Sequence, residues 1–282
     1  MKPGNISVLV FLICVALMFT SCGKEKLAPR KDTDVLSVIT DPMFKAYIQK
    51  RMNKAETYKG IAYPQWDADG NGKLSVAEAA SVTFINVMGD GENRVKSLGG
   101  IELFTGLQIL LCSANRLTEL NVTKNPKLTE LSINFNQIKE LDITKNPELT
   151  GLWCNFNQLT ELNLTKNPKL TRLWCHKNRL TALDMTNNPK LTELACGSNQ
   201  LTQLDITRNK KLTKLSCENN KLKTLDASKI ADGKEGEYIL YCGLRTTNNA
   251  AHPLVLTLRK NMKSRWETSL KAHSYNKNVE VE

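Results

Sequence analysis

Residues 67–78 read DADGNGKLSVAE, a run of oxygen-bearing side chains at a spacing that suits a hard divalent cation. Asp67, Asp69 and Asn71 alternate along the chain, Gly72 follows, and Glu78 closes the segment. Calcium takes about six to eight oxygen ligands, and a tight glycine turn lets one short loop surround it. The pattern assigns side-chain oxygens to Asp67, Asp69 and Asn71 and a backbone carbonyl to Lys73. Ser75 would add a direct or water-mediated oxygen, and Glu78 both carboxylate oxygens. Leu74 is expected to point into a core. Ser75 and Glu78 also form a capping-box pair that would open a helix, and such a box is compatible with the ion.

A second set of residues is aromatic. Trp153 and Trp174 lie 21 residues apart, as do Phe135 and Phe156. Arg172, His176, Lys177, Asn134 and Asn155 stand near them in sequence. Exposed aromatics beside an arginine are the chemistry of recognition. Catalysis is disfavoured. The three histidines (His176, His252, His273) are scattered, and no Gly-rich phosphate loop, zinc spacing or nucleophile elbow appears. The expected class is therefore a binding module and not an enzyme, with a structural surface protein lacking a discrete ligand as the alternative.

The elements that must position these residues come from a repeat. Leu107, Leu128, Leu149, Leu170, Leu191 and Leu212 recur every 21 residues, and the third copy reads LTGLWCNFNQLTELNLTKNPK. One such unit cannot bury its own apolar face, so copies must stack and share a core. The L-x-C triad of each copy predicts a short strand, outer residues inward and the middle one outward. Six parallel strands at about 4.8 Å spacing would build a curved rod roughly 30 Å long. Trp153 and Trp174 then stand side by side on adjacent strands, about 5 Å apart at the backbone. They would make a flat platform with Phe135 and Phe156, edged by Arg172 and His176. Such a platform suits a sugar ring or an apolar protein anchor. A fold of the phenylalanines over the turn, or a C-terminal tail lying on the patch, is the competing reading.

Periods of this length with L-x-x-L-x-L-x-x-N-x-L mark leucine-rich repeats. The chain resembles the short leucine-rich-repeat lipoproteins of Bacteroides-like bacteria over most of residues 41–282. The expected fold is an α/β solenoid: a leucine-rich-repeat curved rod with a parallel sheet on its concave face. A small helical EF-hand-like N-terminal cap (41–106), six repeats (107–232) and a mixed α/β C-terminal cap (233–282) divide the chain. The loop at 67–78 resembles a single EF-hand loop. Ala62-Tyr63-Pro64-Gln65-Trp66 precedes it where such a loop has a helix, which implies a structural ion of modest affinity, roughly 10⁻⁴–10⁻³ M.

Other columns follow the same register. Asn115, Asn136, Asn157, Asn178, Asn199 and Asn220 are placed to form a ladder satisfying backbone groups between coils. Cys112, Cys154, Cys175, Cys196 and Cys217 share an inward position that Ile133 fills in the second copy, and are expected as buried, reduced thiols. Asn-Pro pairs such as Asn146-Pro147 end the second extended stretch of each coil. In the N-terminal cap, Asp41-Pro42 predicts a capped helix with Phe44, Tyr47, Ile48 and Met52 on one face, and Ile85-Asn86-Val87 a degenerate repeat strand. Leu240-Tyr241-Cys242 is read as one more irregular strand. Leu254–Leu258, residues 260–270 with Trp266 inward, and Val279–Val281 predict strand, helix and strand, a succession that resembles the family's C-terminal cap.

The first residues bear on compartment. Lys2 precedes a mostly apolar run from Ile6 to Phe19, too short for a bilayer span of about 20 residues, and the pattern describes a secretory signal over 1–21. Phe19-Thr20-Ser21-Cys22 resembles a bacterial lipobox, which implies lipidation of Cys22 and a polar tether over 22–40. The implied location is the bacterial outer membrane, at the surface or the periplasmic face. The membrane is then a partner through the lipid anchor alone, and a monomer is expected. The net charge of +11 comes from lysines recurring at the Asn-Pro turns. They make a solvated ridge, not a nucleic-acid-reading element. Protein or glycan is the expected ligand and calcium the expected cofactor.

Overall fold

The computed structural model describes residues 33–228, 239–241, 254–258 and 279–281. The signal segment, the tether as far as residue 32 with Cys22, the end of the sixth repeat (229–232) and the 260–270 segment lie outside them.

A 21-residue period returns the same side-chain set to the same side of each coil, and the coils settle on one another in that register. Strands β3 (Phe84–Asn86), β4 (Ile109–Leu111), β5 (Glu130–Ser132), β6 (Gly151–Trp153), β7 (Arg172–Trp174), β8 (Glu193–Ala195) and β9 (Lys214–Ser216) pair in parallel in chain order. The central leucines Leu110, Leu131, Leu152, Leu173, Leu194 and Leu215 align across the strands. All are buried, as is the next inward column of Cys112, Ile133, Cys154, Cys175, Cys196 and Cys217. These cysteines are free thiols. Leu152 and Cys154 are fully buried while Trp153 between them is only half-buried, which is the expected alternation.

Polar ladders hold the coils at their turns. Asn136 donates from Nδ2 to the carbonyls of Cys112 and Ile133, both at 3.0 Å, and its Oδ1 accepts the Leu117 N–H at 3.0 Å. The same pattern recurs at Asn157, Asn178, Asn199 and Asn220. A second ladder was not foreseen. The asparagines of the far turns are fully buried, and Asn146 Nδ2 donates to the carbonyls of Val122 (3.0 Å) and Asn125 (2.9 Å) one coil back. Their role is therefore inter-coil bonding as well as turn formation.

The N-terminal cap begins with a short 3₁₀ turn (Val35–Ser37) and α1 (Pro42–Met52). Asp41 caps α1 by accepting from Met43 and Phe44, while its other oxygen accepts from Lys96 and Ser97. One carboxylate thus ties the helix to the first coil. Phe44, Ile48 and Met52 are buried. An antiparallel hairpin follows, β1 (Glu56–Tyr58) and β2 (Ile61–Tyr63), turning on Lys59 and Gly60 at φ 50° and 77°. In the sequence, residues 62–66 signal only a break before the loop. Phe84 stands in the outward row of the sheet, and Tyr58 and Tyr63 stack on it at 4.9 and 4.4 Å. The hairpin therefore covers the outward face of β3. The 67–78 loop then leads into α2 (Val76–Ser81).

At the other end, β11 (Ile239–Tyr241) joins the main sheet beside β9, one residue earlier than expected. β10 (Thr224–Asp226), β12 (Leu254–Thr257) and β13 (Val279–Val281) form a separate parallel sheet. Both expected tail strands are thus present, and they extend the layer that begins with β10. No helix among the described residues is long and apolar enough to cross a membrane.

Candidate functional site

The 67–78 loop closes on itself through its own donors. Asp67, only 2% exposed, accepts the Asn71 and Gly72 N–H groups on its two oxygens at 3.1 and 2.8 Å. Asp69 accepts from the Asn71 N–H and from its Nδ2. Gly70 and Gly72 adopt φ of +71° and +78°, a region that favours glycine and lets the backbone curl around the carboxylates. Glu78 returns from α2 to accept from Ala68, while Ser75 and Glu78 form both arms of the capping box. Oxygens of Asp67, Asp69 and Glu78 come within 4.8 Å of one another. Burial by itself would raise the Glu78 carboxyl. The Ser75 backbone and hydroxyl, with the Ala68 N–H, outweigh it and hold the group below its ordinary value. Leu74 is fully buried, and its carbonyl accepts from Val35. Three convergent carboxylates on a glycine-bent loop are a donor set that fits calcium.

The aromatic residues meet on the outward face of the main sheet, but not as a flat platform. The indoles of Trp153 and Trp174 are edge to face, 6.5 Å between centroids at 76°. The cause is Gly151: a Cβ there would lie 2.4 Å from the Trp153 ring, so the indole lies over a position without a side chain. Trp174 remains 39% exposed. Phe135 and Phe156 are the stacked pair, at 4.3 Å and 21°, and Phe135 is 54% exposed. Both stand in the left-handed region, at φ 56° and 55°, like their counterparts in every coil from Ala114 to Asn219. That shared conformation carries the turn and aims the side chains outward.

Charged groups ring this patch. Lys177 Nζ lies 4.5 Å from the Phe156 ring centroid. His176 Nδ1 is 3.4 Å from a Glu218 oxygen, and the other Glu218 oxygen accepts from the Ser216 hydroxyl at 2.6 Å. Gly197 makes that reach possible, since a Cβ there would sit 2.4 Å from the Glu218 carboxylate. Lys214 pairs with Glu193 at 2.9 Å, and Lys59 at the hairpin tip pairs with Glu130 at 2.9 Å. The hairpin therefore walls one end of the patch. A shallow depression of about 190 Å³ opens beside Trp174, with Ala195 and Ser216 at its base and Glu193 and Lys214 along one side. All six expected ligand-site residues lie on or beside this face. Glu218, the two glycines and the hairpin were missed. A glycine at an outward strand position was the one local sign.

Among solved structures, the chain is similar to the functional domain of InlJ from Listeria monocytogenes, a structure that includes a cysteine ladder. The identity is 24% and the TM-score 0.54, over 82% of this chain and 53% of that one, so this chain spans about half of that solved domain. It is also similar to internalin C2 from Listeria monocytogenes, at 19% identity and TM-score 0.57, over 77% of this chain and 99% of that one. No protein-family profile and no curated protein sequence matches the chain. The likeness establishes a leucine-rich-repeat solenoid fold.

Proposed function

We propose that the chain is an exported binding protein that holds a protein ligand against the outward face of its main sheet, around Trp153 and Trp174. The observation that carries this reading is Trp174, 39% exposed beside a depression of about 190 Å³. Apolar surface of this kind marks interaction sites on soluble proteins, and tryptophan is enriched where binding energy concentrates. Protein is favoured over glycan because indoles at 76° cannot offer one plane to a sugar ring. The test is a protein and glycan array probed with the wild type and with Trp153→Ala/Trp174→Ala. Protein ligands should lose at least tenfold in affinity with the melting temperature kept. Equal binding by the double variant, or binding to glycans alone, would sink the proposal.

Two further parts complete it. The lipobox-like Cys22 supports a lipid anchor at a bacterial outer membrane, so Cys22→Ser should release the protein from the membrane fraction. The 67–78 loop is proposed to hold a structural calcium ion through Asp67, Asp69, Asn71, the Lys73 carbonyl, Ser75 and Glu78. Calcium at about ten times its Kd should stabilise chelator-treated protein by about 1.4 kcal/mol, a rise of roughly 3–6 °C. Asp67→Ala/Glu78→Ala should abolish the rise. A melting temperature indifferent to calcium would count against the ion.

A further inference from the structure

We infer that the ligand segment received by this face is acidic as well as apolar: an extended stretch carrying Asp or Glu two positions from a large apolar residue. The inference rests on the protein-ligand reading above and adds the chemistry of the partner.

The charges on the face decide its sign. Its outward row runs Glu130, Gly151, Arg172, Glu193, Lys214 on consecutive strands. Glu130 is committed to Lys59 and Glu193 to Lys214, each at 2.9 Å. Glu218 is held by Ser216 and lies against His176. Arg172 sits in the middle of this row, exposed, with no ion pair among the described residues. One neighbour, Gly151, has no side chain, and the other, Glu193, has turned to Lys214. Lys177 adds a second exposed cation, over Phe156. The three carboxylates of the patch each have a partner on this face while the Arg172 guanidinium has no ion pair among the described residues, so it is the group open to a ligand carboxylate. A guanidinium grips a carboxylate through two parallel hydrogen bonds, more selectively than an ammonium could.

The spacing follows from strand geometry. Arg172 and Trp174 are alternate residues of β7 and project from the same face, about 6.6–6.8 Å apart along the strand. An extended ligand has the same pitch, and its alternate side chains also share a face. A carboxylate on Arg172 therefore places the side chain two residues away at Trp174, beside the depression of about 190 Å³. Trp174 and Ala195 would cover that side chain, and the Glu193–Lys214 pair would border it.

Phage-displayed random seven-residue peptides panned against the full-length chain test this, with enriched sequences then titrated by fluorescence polarisation. Enriched peptides should carry Asp or Glu two positions from Phe, Leu or Trp. Their binding should weaken at least tenfold with Arg172→Ala or Trp174→Ala, and should weaken with added salt. Arg172→Glu should shift the selection toward Lys- or Arg-containing peptides. Peptides without an acidic residue, undiminished binding to Arg172→Ala, or no enrichment at all would overturn the acidic preference. If such binding is still lost in Trp153→Ala/Trp174→Ala, the sheet face stands as the site. Binding that survives in the double variant refutes both. Arg172 is exposed, so the melting temperature of its variants should match wild type, and that measurement separates lost binding from lost fold.

Discussion

At the scale of single residues, the cysteine column shows how burial silences a reactive group. The thiolate is the nucleophile, and desolvation penalises it. Burial pushes the Cys175 thiol up to about 12, and Cys112, Cys154 and Cys196 move the same way. The folded chain should therefore leave Cys112, Cys154, Cys175, Cys196 and Cys217 unmodified by iodoacetamide near neutral pH, and unfolding should expose all five, as peptide masses would report. The linkage has a definite sign. A thiol raised in the folded state contributes stability below its ordinary value of 9.0 and loses it as pH rises above that value, so denaturant midpoints should fall on the alkaline side. Asn167 illustrates the opposite chemistry. Its Nδ2 serves the carbonyls of Ile143 (3.0 Å) and Asn146 (2.9 Å), while its Oδ1 is buried without a donor. The donor arm is what matters. Asn167→Ala should cost about 2–5 kcal/mol in urea titrations by leaving two buried carbonyls unpaired. Asn167→Asp, which supplies no donor, should be at least as damaging. Asn163→Ala at the exposed turn should cost under about 1 kcal/mol.

At the scale of elements, α2 is too short to stand alone and is defined by its cap. Helices of this length are marginal in water, and here the Ser75–Glu78 box supplies bonds for N-terminal donors that would otherwise be orphaned. Because the Glu78 carboxyl is held below its ordinary 4.5, it contributes stability above that pH and loses it as pH falls through the depressed value. In chelator, wild type should lose more stability than Glu78→Gln between about pH 5 and pH 3, measured by denaturant midpoint. Equal losses would show that the carboxylate does not hold the loop. The β1–β2 hairpin has a comparable dependence on its neighbours. Two short strands are marginal by themselves, and this pair rests on Phe84 and on the Lys59–Glu130 contact.

At the scale of the whole repeat array, one apolar core runs through all the coils, but each coil contacts only its neighbours along it, so stability is the sum of coil and nearest-neighbour contributions. Leu173 is fully buried within the central β7 coil. Leu173→Ala should cost about 2–5 kcal/mol. It should also lower the urea m-value, because coils on either side of the weakened one can then unfold separately. An unchanged m-value would show that the array unfolds as one unit despite the lesion.

Much of this architecture was written in the period. A leucine every 21 residues can be buried in only one way once coils stack, so strand positions, the inward cysteines and the turn asparagines of the strand side were legible from spacing. The capping helix was legible because Asp41-Pro42 acts on groups two and three residues away. The loop at 67–78 was legible for a similar reason, the partners of its carboxylates lying within ten residues along the chain. What sequence could not supply depends on neighbours distant along the chain. Lys59 finds Glu130 across 71 residues, and nothing around Lys59 announces that contact. The asparagines of the far turns look like ordinary turn formers until the preceding coil supplies their carbonyls. The two tryptophans were placed on the right face by periodicity, yet their edge-to-face geometry was decided by an absent side chain at Gly151. Repetition determines which way a residue faces. Only the packed neighbours determine what it meets there, because contact distances depend on side-chain volumes that the period does not encode.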